Sequence, residues 1–121
     1  MSEIATNNRQ ITLYCIEDSV KAKQTLAYAQ VESVALLIID ISKTPLTGTQ
    51  LAELAKRLGV EIEDLIDRDH ELLNASIEPL DLSSDDWIKM IRKNPEILKQ
   101  PIAIWGDQTL LVETPTDLLK L

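Results

Sequence analysis

The residues of this chain whose types and spacing could do chemistry gather in one short stretch, Cys15-Ile16-Glu17-Asp18-Ser19. It follows an apolar run, Ile11 to Ile16, and leads into residues at helical spacing. A strand running into a helix N-terminus is where many folds place an anion site or an activated nucleophile, because free backbone N–H groups and the positive dipole end point outward there. Here the turn offers two acids and a hydroxyl. A serine hydroxyl is not ionised near neutral pH, and no histidine lies close in sequence to act as its base. Ser19 or Asp18 can instead cap the helix, accepting from the amides of its first turn. Cys15, the single cysteine, has two readings. It is either a redox thiol, using glutathione, or a small core residue whose pKa strand burial raises. One cysteine forms no internal disulfide, and no Cys/His cluster offers a metal site. Arg68 could bind an anion or pair with Asp64, Asp67 or Asp69. His70, between Asp69 and Glu71, could be a general base or a solvated surface residue.

Around this stretch the composition is that of one globular domain. The chain has 121 residues, 45% of them hydrophobic, with no Phe, so Ile, Leu, Val and Ala do most of the packing. The formal charge is -8, from 20 acids against 12 bases. That balance opposes direct nucleic-acid binding through phosphate neutralisation and favours a basic protein partner. No apolar run approaches the roughly 18 residues of a membrane span, and the polar N-terminus lacks a signal-peptide core. A cytoplasmic protein without membrane contact is the expectation; the oligomeric state is left open.

The elements that must position Ser19 follow from pattern. Residues 1–10 are polar and without period, a flexible tail. Ile11 to Ile16 reads as a strand covered on both faces. Ser19 to Gln30 reads as a helix turning Val20, Ala22, Leu26, Ala27 and Ala29 inward. Val34 to Ile41 reads as a buried parallel strand, reached by a right-handed crossover. Thr47 with Gln50 makes a capping box that opens a helix over Leu51, Leu54, Ala55 and Leu58, and Gly59 closes it. Glu61 to Asp67 reads as a short helical turn, and Arg68 to Ile77 as a broken helix. Ser83 caps a further helix with Trp87, Ile88 and Ile91 inward. Pro101 to Trp105 and Thr109 to Val112 form a hairpin across Gly106-Asp107-Gln108. Pro115 to Leu121 closes with a short helix of Leu118, Leu119 and Leu121.

The order β-α-β, helical insert, β-β-α carries a series of local marks. They are Leu13-Tyr14 before the first helix, Lys43-Thr44-Pro45 with the Thr47 cap, Leu58-Gly59-Val60, and Leu65-Ile66-Asp67-Arg68. Leu82-Ser83 with Trp87, Asn94-Pro95, and Pro101-Ile102 before the hairpin complete it. In that order and spacing the chain resembles the arsenate reductase (ArsC)-like branch of the thioredoxin-like superfamily, which includes the Spx-type transcription regulators. The resemblance covers Ile11 to Leu121. It implies an α/β, glutaredoxin-type core with a mixed four-stranded sheet, in which residues 11–121 form a single domain and residues 47–99 a helical insert. It also implies a cis peptide at Pro101. Family members that reduce arsenate carry a cysteine where this chain has Ser19, and three arginines, of which only Arg68 has a match. Gln100 and Thr114 stand at the other two places. The Cys-x-x-Cys switch of Spx-type proteins is replaced by Ser19 and Ala22. The resemblance therefore implies an ArsC-like scaffold without catalysis or a required cofactor, a protein-binding or regulatory module. Its groove would be formed by Glu17, Asp18, Ser19, Arg68, Gln100 and Pro101. The alternative is a monothiol oxidoreductase working through Cys15 and glutathione.

Overall fold

The computed structural model describes residues 10–67 and 83–121. Three elements make the first half of the core: β1 (Ile11–Cys15), α1 (Val20–Val31) and β2 (Leu36–Asp40). Then come α2 (Gly48–Leu58), a 3-10 turn (Ile62–Leu65), α3 (Ser84–Lys93) and a second 3-10 turn (Pro95–Ile97). The chain finishes with β3 (Ile102–Trp105), β4 (Gln108–Leu111) and a 3-10 segment (Pro115–Lys120). The four strands form one mixed sheet in the order β2-β1-β3-β4. β1 runs parallel to β2, with Ile11 beside Leu36 and Cys15 beside Asp40. It runs antiparallel to β3, with Tyr14 beside Ile102, and β4 folds back on β3.

Both faces of β1 are covered, so all five of its residues are buried. Tyr14, Ile102 and Ile104 pack against Leu51 and Leu54 of α2 and Trp87 and Ile91 of α3. Leu13, Cys15 and Ala103 pack against Ala22 and Ala29 of α1 and against Leu118. The helices start and stop where side chains satisfy their end groups. Thr47 Oγ1 accepts from the Gln50 amide at 3.1 Å, and Gln50 Oε1 accepts from the Thr47 amide at 2.9 Å. Gly59 ends α2 at φ 72, a left-handed conformation that favours glycine. Ser83 Oγ accepts from the Asp86 amide at 3.2 Å to open α3.

Four local expectations need correction. β2 is an edge strand rather than a buried one, and Leu37 is 40% exposed. An apolar run of that length does not distinguish a central strand from an edge strand. α1 buries Ala22, Thr25 and Ala29, whereas Val20 is 72% exposed and Ala27 is exposed too. With Ser19 as its cap, the helix begins at Val20, outside the buried stripe. Thr25 joins that stripe because its hydroxyl donates to the Lys21 carbonyl at 2.8 Å, removing the cost of burying it. In the hairpin Gln108 pairs with Trp105, so the loop is Gly106-Asp107 alone, with Gly106 at φ 57. The closing helix is a 3-10 segment that buries Leu118 and leaves Leu119 60% exposed. The expected broken helix of residues 68–77 and the tail up to residue 9 lie outside the described residues.

The last segment is held by one carboxylate. Asp117 accepts from the Thr114 and Glu113 amides at 3.1 and 2.9 Å and pairs with Lys120 at 3.0 Å. The Thr114 amide first, then Lys120 and the Glu113 amide, hold its carboxyl down at about 2. A lowered acid adds stability above its ordinary value of 3.8 and loses it as the pH falls towards 2. Asp117→Asn should therefore remove part of the acid-side slope in urea-melt stability between those pH values. Thr47→Ala should lower stability by about 1 kcal/mol at pH 7, measured the same way.

Candidate functional site

Beyond the C-terminal end of β1 the chain turns through Ile16 to Ser19 and enters α1. The Ser19 amide donates to the Ile16 carbonyl at 2.9 Å, closing the turn. Ser19 is the N-cap: its Oγ accepts from the Ala22 amide at 3.1 Å, and its carbonyl accepts from Lys23 at 3.1 Å. The turn is also tied to β2. The Asp40 carboxylate accepts from the Ser42 hydroxyl at 2.6 Å and the Ser42 amide at 2.9 Å, and a Glu17 backbone hydrogen bond adds to the set. The Ser42 hydroxyl is the largest cause of a carboxyl pKa held below the ordinary value.

Opposite the turn lies the segment before β3. The Gln100–Pro101 peptide is cis, as the resemblance implies. Gln100 is a two-ended tie: its Oε1 accepts from the Ile16 amide, and its Nε2 donates to the Leu98 carbonyl at 3.3 Å. A short antiparallel bridge between Ile66 and Leu98 brings up the end of the insert. In it the Asp67 amide donates to Ile97 at 2.7 Å, and the Lys99 amide to Leu65 at 2.7 Å.

These parts enclose an open cleft of about 600 Å³. Ser19 and Gln100 line it, with Ile16, Leu98 and Leu111 as apolar walls. Among the described residues its charged lining is Lys21 and Lys99 against Asp67, Glu96 and Glu113, an excess of one acid. Glu17 and Asp18 are exposed in the turn, and Pro101 is buried; none of the three is part of the lining. Arg68 and His70 lie outside the described residues. Sequence reasoning missed Ile16, Leu98 and Leu111 as walls and Lys21, Asp67, Glu96, Lys99 and Glu113 as charges. Helical spacing does mark Lys21 as water-facing, but the Ile66–Leu98 bridge that brings Asp67 and Lys99 together has no local signal.

Cys15 is fully buried. It belongs to the α1 side of the sheet, with Ala22 and Leu118, while its neighbours Tyr14 and Ile16 belong to the other side. Burial, then the nearby charges of Asp40 and Glu17, push its pKa from 9.0 up to about 11. Chemically, the cleft offers an engaged hydroxyl and charges of both signs. Among the described residues no group of three His, Cys, Asp or Glu side chains could hold a metal ion, and no helix is long and apolar enough to cross a membrane.

Three outcomes follow. A rise of two pKa units leaves about a hundredfold less thiolate, so Cys15 should react with iodoacetamide at pH 8 at least that much more slowly in the native protein than after denaturation. The raised pKa also adds stability that is full below pH 9 and lost as the pH rises towards 11. Cys15→Ala should flatten that alkaline limb of the stability profile. Gln100→Ala should cost about 1–3 kcal/mol in a urea melt, the range for stranding a partly buried amide.

No protein-family model matches the chain, and no curated protein matches it at a significant level. Solved structures do. An arsenate reductase from Vibrio cholerae superposes with a TM-score of 0.79 at 22% identity, over 94% of this chain and 98% of that one. An arsenate reductase (ArsC) related protein from Brucella melitensis gives 0.72 at 16% identity, over 96% of this chain and 97% of that one. At these identities the likeness is one of fold: the chain has the α/β, thioredoxin-like fold of the arsenate reductase structures.

Proposed function

We propose that this chain is an ArsC-like protein without thiol chemistry, and that its cleft holds a segment of a protein partner. The observation that carries this reading is the division of labour at the turn. The hydroxyl at the start of α1 is engaged as a cap, and the single cysteine is buried beneath α1 and is not part of the cleft lining. Two further features support it. Gln100 supplies no positive charge beside Pro101, and the acid excess among the described lining residues, reinforced by Glu17 and Asp18 at the turn, disfavours an oxyanion such as arsenate. The same balance suits a basic peptide. Neither metal nor cofactor is required, and glutathione has no reactive thiol to meet at the cleft. A cytoplasmic setting accords with a lone reduced cysteine. A regulatory role of the Spx kind, through contact with another protein, is one form such binding could take.

The purified chain should show no turnover in assays of arsenate reduction and of glutathione mixed-disulfide reduction. Turnover that disappears in Cys15→Ala would overturn the proposal in favour of the monothiol reading. Ser19→Cys supplies the complementary test. A thiol at the start of α1 should alkylate readily in the native protein and titrate below the ordinary value of about 8.5, because the helix N-terminus favours the thiolate. Binding is checked with a lysine-rich dodecapeptide followed by NMR. Shifts should centre on Ser19, Gln100 and Leu111, and Glu96→Gln with Glu113→Gln should weaken binding several-fold.

A further inference from the structure

A second open groove, of about 570 Å³, shares no residue with the Ser19 cleft. It lies between the start of α2 and the outer side of α3. Pro45, Gly48 and the half-buried Ile88 give it an apolar strip; Lys89, Arg92 and Lys93 line it, with Asp85 at the other end. Among the described residues, three cations against one acid is the reverse of the chain's balance of 12 bases to 20 acids. None of the three has a carboxylate partner among the described residues, where the ion pairs are Arg57–Glu53 and Lys120–Asp117.

Arg92 is built into the groove. Its Nε–H donates to the carbonyl of buried Leu46 at 3.1 Å, a contact across 46 residues of sequence. That bond restrains the guanidinium at one edge, and the two terminal nitrogens make no hydrogen bond or ion pair to the described residues. A guanidinium held this way is prepared for two parallel bonds to a carboxylate. Cations in a last helical turn complement the helix dipole, which accounts for Arg92 and Lys93 as charges. It does not account for Lys89 a turn earlier, nor for the tie to Leu46. Lys89 and Lys93 stand four residues apart on one side of α3, about 6 Å along the axis. That spacing suits successive carboxylates of an extended peptide better than one small anion.

We propose that this groove is a docking site for an acidic segment of a partner protein. One carboxylate is held two-pronged by Arg92, others lie against Lys89 and Lys93, and an apolar side chain rests on Ile88. The proposal is independent of the reading of the Ser19 cleft.

The test uses the full chain and a labelled dodecapeptide of glutamates around one central leucine, with a glutamine counterpart as control. Binding is read by fluorescence anisotropy and located by NMR. The acidic peptide should bind, with shifts at Gly48, Ile88 and Arg92, and should weaken with salt. Arg92→Gln should lower affinity at least tenfold, Arg92→Lys should not restore it, and Lys89→Gln or Lys93→Gln should each cost several-fold. Unfolding curves of the variants that match the parent confirm that the loss lies in binding. Equal affinity for the glutamine peptide, shifts centred on Ser19 and Gln100, or the same shifts from inorganic phosphate alone would overturn the proposal. Self-association of the chain that Arg92→Gln abolishes would also overturn it, by giving the groove to a second copy.

Discussion

Alternation along β1 is the constraint on which the rest depends. The strand is buried on both faces and pinned on both edges, to β2 in parallel and to β3 in antiparallel register. Successive residues must therefore belong to opposite sides of the sheet, and a slip of one residue would exchange the two cores. Tyr14 goes with α2 and α3, and Cys15 goes with α1. The thiol cannot serve the cleft without taking the whole strand with it. What the turn offers is then decided by the capping needs of α1, and Ser19 meets those with its side-chain oxygen.

Gln100 shows how one residue type changes the use of a position. The resemblance implies an arginine beside Pro101, a cation directed at an oxyanion. A guanidinium has donors only, whereas a carboxamide has both a donor and an acceptor. Gln100 uses the acceptor on the Ile16 amide and the donor on the Leu98 carbonyl. An arginine could serve Leu98 but would leave the Ile16 amide unmet. The position thus joins the two walls of the cleft while still lining it, and the side chain there brings no positive charge.

Much of this architecture was legible in the chain. Thr47 and Gln50, three residues apart, announce a helix start, Gly59 announces its end, and both signals are local chemistry that tertiary packing did not override. The strand-helix-strand order and the place of Ser19 at the first helix follow from the same kind of reasoning. Burial was less legible, because it depends on neighbours distant in sequence. The apolar run at Val34 to Ile41 reads like a buried strand, yet the strand it forms, Leu36–Asp40, lies at the sheet edge. Thr25 reads as polar, yet a bond to the carbonyl four residues back lets it be buried. The candidate site divides along the same line. Ser19 is marked by its place before the first helix and Gln100 by the resemblance, and both line the cleft. Asp67 and Lys99 reach the cleft through a two-residue bridge between distant segments, and no periodicity records such a contact.

Net charge conceals this division of the surface. A charge of -8 acts at long range and slows the approach of any acidic partner. Screening confines that effect to about 10 Å at moderate salt, so at contact only the local arrangement matters. On α3 that arrangement is three cations, without carboxylate partners among the described residues, beside an apolar strip. An acidic segment that lacks the matching spacing meets only the general repulsion. One that fits the oriented guanidinium gains paired, charge-assisted hydrogen bonds that a flexible lysine would not supply. The repulsive background weakens matched and unmatched acidic segments alike, so selection between them rests on the local geometry of Arg92, Lys89 and Lys93.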